Sequence, residues 1–213
     1  MKDLNVLITV VSSILSGVIF SGVAQAGVLT FHPEFAVYAG SGCPQGMTRL
    51  MVDETGDLLI EHEALRLDLQ QGVGSALAGR RACAIRVPVT LPQGFYVRSI
   101  EQQLHYSAMK SAGAESRIST RAAMSGDSVD PFTITLPLGE EIYGDNMIAS
   151  RRDDLDEDIS YDTYCKGSRS EEMMLQVNTV ISGQRQSIYE DLLIAAYGGY
   201  IGEGIEIEIA ECY

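Results

Sequence analysis

Asp154, Asp156 and Asp158 alternate along the chain as oxygen ligands do in the first half of a calcium loop. They are the candidate metal ligands of this sequence, and extracellular calcium would fill even a modest site. The EF-hand pattern stops there. Ile159 stands where the sharp turn needs Gly, and Cys165 where the bidentate Glu belongs. The competing reading is a solvated acidic loop partly neutralised by Arg151 and Arg152.

Other residues could carry catalysis, and each fails at a definite step. Glycoside hydrolysis needs two carboxyls about 5 to 10 Å apart, one of them held protonated. Glu206 and Glu208 share one strand face at a suitable spacing, but a polar strand face is ordinarily solvated. The chain has no Trp to platform a sugar, although its ten Tyr could substitute in part. His32, His62 and His105 are the only imidazoles, and no G-x-S-x-G elbow accompanies them. His62 lies in Glu61-His62-Glu63, closer to a strand edge than to H-E-x-x-H. Gly40-Ser41-Gly42-Cys43-Pro44-Gln45-Gly46 lacks the Lys-Ser/Thr of a phosphate loop, so its glycines are expected to permit a tight turn beside a disulfide. No catalytic residue is assigned, and no cofactor other than calcium is implied.

Cys43, Cys83, Cys165 and Cys212 are even in number and form no C-x-x-C, which disfavours zinc and favours disulfides in an oxidising compartment. Three connectivities are possible. The sequential one, Cys43 with Cys83 and Cys165 with Cys212, gives one bridge to each half. Each closes a loop worth about 4 kcal/mol on the chain-entropy view.

The elements that must hold these residues read as strands. Leu65, Leu67 and Leu69 alternate with polar residues, as do Cys83, Ile85, Val87, Val89 and Leu91. Leu175, Val177, Thr179 and Ile181 form a third series, and Ile205, Ile207 and Ile209 a fourth. Turn signals separate them at Glu54-Thr55-Gly56-Asp57, Pro92-Gln93-Gly94, Ser125-Gly126-Asp127 and Gly198-Gly199. The pattern predicts an all-β, disulfide-stapled sandwich or jelly roll of roughly eight to ten strands. Residues 188–197 fit a short helix or a strand. Residues 139–167 lack periodicity and are expected to form a long acidic loop.

The first residues are an address. Lys2 precedes an apolar stretch over residues 6–23, which ends in Ala24-Gln25-Ala26, the small-x-small pattern of a signal-peptidase site. Cleavage would leave residues 27–213 as one domain with no later membrane span. An uncleaved anchor is the rival, weakened by Ser12, Ser13, Ser16 and Gly17 within the stretch. The 213 residues carry 15 Lys or Arg against 29 Asp or Glu, a formal charge of -14. Nucleic acid binding rests on cationic neutralisation of phosphates, so nucleic acid is excluded as the expected partner.

Several motifs recur in a recognisable order. The Gly40-to-Gly46 segment comes first, then Arg80-Arg81-Ala82-Cys83, Pro92-Gln93-Gly94-Phe95, a lone Cys165, Gln176-Val177-Asn178-Thr179, and a last strand ending in Cys212. Together they resemble a family of small secreted bacterial and fungal proteins classified only as a domain of unknown function. Ala82 departs from the Asn usual before the second Cys, and the Trp usual near the last Cys is missing. The resemblance implies export, disulfides and a sandwich-like fold, and supplies no activity. The expectation is a non-enzymatic protein, secreted or periplasmic, that binds or assembles at the cell surface or outside it through residues 139–167. A secreted hydrolase of glycan or peptide and a calcium-stabilised matrix component are the alternatives.

Overall fold

Strict alternation of apolar and polar side chains turns the middle of the chain into long antiparallel strands, because each places its apolar set on one face. The computed structural model describes residues 28–72, 74–124, 129–155, 165, 171–195 and 202–213. The address segment, residues 1–26, lies outside them. Two sheets pack face to face as a sandwich.

The first sheet holds β1 (Thr30–Phe31), β2 (Val37–Ala39), β6 (Ala78–Leu91), β8 (Ala114–Ala123), β9 (Phe132–Leu136) and β11 (Glu171–Arg185). Its order is β1-β6-β11-β8-β9, with β2 also on β6. Cys83, Ile85, Val87, Val89 and Leu91 of β6 point into the core, beside Leu175, Val177 and Ile181 of β11. These are the alternating sets read from the sequence.

The second sheet holds β3 (Thr48–Val52), β4 (Leu58–His62), β5 (Arg66–Asp68), β7 (Phe95–Lys110), β10 (Ile142–Asp154), β12 (Leu192–Ala195) and β13 (Glu203–Glu211). Its strands run β3-β4-β13-β7-β12-β5, with β10 also paired to β7. β12 and β13 pair with successive stretches of β7: Ala195 faces Ser107, and Glu203 faces Leu104. The Gly202 carbonyl accepts the His105 N–H at 3.0 Å beside this break. β5 and β4 repeat the interruption, β5 pairing with β12 and β4 with β13.

Two expectations change here. Thirteen strands are present among the described residues, because these interrupted strands count separately and β1, β2 and β5 are very short. Residues 142–154, expected within a loop over 139–167, are the strand β10, in register with β7 from Lys110 to Ser99. A bulge between Gly144 and Met147 flips the phase of β10, and its inward residues are only half-buried, so no period of two reaches the sequence. Residues 192–195 are strand, which resolves the ambiguous stretch 188–197 over its described part.

Disulfides join Cys43 to Cys83 and Cys165 to Cys212. The first ties the β2–β3 connection to β6. There Gly42 N–H donates to the Ala82 carbonyl at 2.8 Å. Gly40 has φ +115°, and a Cβ on it would lie 2.2 Å from that same carbonyl oxygen. A Cβ on Gly42 would lie 2.4 Å from Leu65 Cδ1. The glycines let the backbone press against β6, as an approach this close requires.

Two buried cations fix connections near one end of the sandwich. The Arg185 guanidinium donates to the carbonyls of Gly74, Ala76, Ile188 and Glu190 at 2.9 to 3.3 Å. It thereby pins the β5–β6 connection to the β11–β12 connection. Lys110 donates to the carbonyls of Ser111, Ala114 and Glu140. Burial pushes its pKa down, against the opposing pull of Glu140, Glu115 and Glu141.

Candidate functional site

The bulge in β10 shapes a surface depression. Gly144 faces Ala108 and Met147 faces Tyr106, so β10 spends one more residue than β7 over that step. Asn146 takes up the extra residue at φ 55°, a left-handed conformation that Asn tolerates better than most side chains. Tyr143, Gly144, Asp145 and Asn146 thus wall an open groove of about 650 Å³ on the outer face of the second sheet. That volume lies within the range of small-ligand sites.

The register of β7 and β12 sets the floor. Met109 pairs with Leu193, and Ser107 with Ala195. Arg66, in register with Ala195, forms the opposite wall, and its Nη2 donates to Asp68 Oδ2 at 2.6 Å. His105 also lines the groove, with Nε2 3.1 Å from Gln103 Oε1. It occupies a half-exposed strand position. The Tyr143 ring is 82% exposed on the rim.

A second cluster lies inside the sandwich. His62 of β4 is 3% exposed and Glu203 of β13 is 1% exposed, with His62 Nε2 3.5 Å from Glu203 Oε1. Thr179 of β11 donates to Glu203 Oε1 across the core. Thr179 and Thr120 share a hydrogen bond of 2.8 Å, and Gln102 Nε2 donates to Thr120 Oγ1 at 3.3 Å. His62 Nδ1, Glu203 Oε2, Thr48 Oγ1 and Gln102 Oε1 have no hydrogen-bond partner among the described residues. This chain of polar groups links both sheets beside the break between β12 and β13. Its side chains are buried away from solvent. Glu61-His62-Glu63 lies at the end of β4, where His62 faces inward, opposite Thr48.

The remaining sequence candidates do not converge. Asp154 is bound by Arg152 Nε at 3.1 Å, while Asp156 and Asp158 lie outside the described residues. No group of three or more His, Cys, Asp or Glu among the described residues is placed to hold a metal. Glu206 stands directly opposite Glu101. Glu208 accepts from Arg152 Nη2, from Arg98 Nη1 at 3.2 Å and from Ser99 Oγ at 3.1 Å. Arg152, foremost among these, holds the Glu208 carboxyl below the usual carboxylate range, the reverse of what a proton donor needs. His32 Nε2 is 2.8 Å from Thr90 Oγ1, on the other sheet.

Sequence reasoning missed the groove because its residues come from four strands and depend on the bulge. The one local trace of it is Gly144-Asp145-Asn146, a run of turn-prone residues inside what proved to be a strand.

Two packed antiparallel sheets stapled by two disulfides define an all-β sandwich. Residues 34–190 match the family described as a domain of unknown function, DUF4360, and the chain belongs to it. No curated protein matches. Among solved structures, one that it matches is TmCBM61 in complex with beta-1,4-galactotriose, at 9% identity over 83% of this chain and 90% of that one, with a TM-score of 0.29. Another is the GH31 alpha-xylosidase from Xanthomonas citri, at 8% identity over 83% of this chain and 20% of that one, with a TM-score of 0.18. No helix among the described residues is long and apolar enough to cross a membrane.

Proposed function

We propose that this is an exported, non-enzymatic binding protein that takes a saccharide in the groove between β10, β7 and β12, at the cell surface or outside it. Tyr143 carries the reading. A ring left 82% exposed on a groove wall keeps apolar area in water. Covering it with an apolar ligand face recovers about 25 cal/mol per Å². A pyranose offers such a face, and its rim hydroxyls suit Arg66, Asp145 and Asn146. The floor is sheet, so little ordering is left for binding to oppose.

The chemistry of the lining favours binding over hydrolysis. Asp145 is the only carboxylate among the described residues that line the groove, and glycoside hydrolysis needs two. Export is supported by the Ala24-Gln25-Ala26 site and by two disulfides, which belong to oxidising compartments.

The test is a calorimetric titration of the mature protein with a panel of neutral oligosaccharides. At least one should bind, and Tyr143→Ala should weaken it at least about tenfold with an unchanged melting temperature. Silence across the panel, or undiminished affinity in the variant, would sink the proposal.

A further inference from the structure

Three arginines on the outward face of the first sheet have no carboxylate partner among the described residues, although the protein is acidic. Arg80 and Arg86 of β6 and Arg117 of β8 are exposed, and none forms an ion pair among the described residues. Arg121 of β8 lies on the same face. In the second sheet every arginine behaves differently: Arg49, Arg66, Arg98, Arg151 and Arg152 each hold an Asp or Glu within 3.5 Å. With a formal charge of -14, carboxylates are plentiful, yet the first face receives few. Glu115 and Glu172 stand near its two ends, and Glu115 is engaged by Gln184 Nε2.

From this charge pattern we infer that the outer face of the first sheet is a docking surface for a carboxylate-bearing, acidic polysaccharide. Register gives the spacing. Arg80 and Arg117 are both cross-strand partners of Ser182, two strand widths apart, or about 10 Å. Arg80 and Arg86 are six residues apart along β6, about 20 Å. Cations at such intervals suit a polymer with one charge per sugar or two, not a duplex with one per about 1.7 Å. The net negative charge of the whole protein repels the denser polymer.

Composition narrows the partner further. The outward positions of β6, β11 and β8 hold no lysine and no aromatic ring. The guanidinium fork matches a carboxylate with two parallel hydrogen bonds, which a lysine cannot do. Without a ring on these strands there is nothing to stack a base, and Val37 of β2, opposite Arg86, is too little exposed apolar surface to anchor in a bilayer. Ala82, Ala84, Ser119 and Ser182 keep the face flat enough for an extended chain. The inference is independent of the groove, which lies on the opposite sheet.

The probe is polygalacturonate, titrated into the mature protein at low and at physiological salt, with dextran, heparin and anionic phosphatidylserine vesicles as comparisons. Polygalacturonate should bind and dextran should not, with affinity falling as salt rises because the arginines are exposed. The double variant Arg80→Gln, Arg117→Gln should lose at least about tenfold at an unchanged melting temperature. Arg80→Lys, Arg117→Lys should also bind more weakly, since charge is kept and the fork lost. Tyr143→Ala should leave this binding intact, so failure here is distinguishable from failure of the groove. No binding, equal affinity in either double variant, preference for heparin or vesicles, or a doubling of mass at low salt that the Gln variant abolishes would each overturn the inference.

Discussion

The two sheets are built to different standards. In the first, β6, β11 and β8 run side by side with continuous registers and no shift. The second is interrupted between β4 and β5 and between β12 and β13, and it bulges within β10 and at Glu208/Ile209 of β13. Every such irregularity forfeits ladder bonds, so their collection on one sheet has a local cause. Three of them border the groove or the buried Glu203–His62 pair. The regular sheet offers a flat face with fixed charges, and the irregular one a shaped recess.

The sharpest way to break this contrast is Glu203→Ala. If the polar chain beside the break holds the second sheet to the first, removing its carboxylate strands His62 and Thr179 in the core. The expected loss is about 3 to 5 kcal/mol in denaturant unfolding. Glu203→Gln, which keeps the shape, should cost less. A loss below about 1 kcal/mol for Glu203→Ala would mean that the chain is incidental.

Next in size is the double variant Cys43→Ser, Cys83→Ser, which frees the β2–β3 connection from β6. A loss of about 2 to 5 kcal/mol is expected from thermal or denaturant unfolding. Stability equal to that of the parent would show that the Gly40 and Gly42 contacts suffice alone.

The smallest effect concerns the edge strand. Arg152 and Arg98 hold Glu208 below the usual carboxylate range. A depressed folded pKa gives stability that is present above the unfolded value and is lost as pH falls through the folded one. The parent should therefore lose slightly more melting temperature than Glu208→Gln between pH 6 and pH 3, the group being partly exposed and screened. Parallel curves would remove Glu208 from the forces that hold β10 to β13.

How much could be read in advance follows the same division. β6 and β11 were legible because alternate residues such as Val87 and Val89, or Leu175 and Val177, are wholly buried. Of the three isoleucines in β13 only Ile205 is wholly buried, while Ile207 and Ile209 are half-covered, so three equal-looking isoleucines have unequal roles. β10 was illegible because its inward positions include Gly144, Ala149 and Arg151, which carry no apolar rhythm, and because the bulge reverses the phase. His62 and Glu203 meet through strand pairing across most of the chain, which no local pattern encodes. The groove shares that difficulty, since Arg66, Ser107, Tyr143 and Leu193 belong to four separate segments.

The sequential pairing of the cysteines bears on how the protein is made. A chain synthesised from its N-terminus presents Cys43 and Cys83 before the other two exist, so the first bridge has no competitor. Cys165 and Cys212 then find each other as the only thiols left. Sheet pairing follows a slower clock, because β4 waits for β13 and β6 for β11, and contacts so distant in sequence are slow to form. Covalent closure of the first half can therefore precede completion of either sheet. During that interval the apolar strand faces are exposed, which makes aggregation a hazard of its biogenesis.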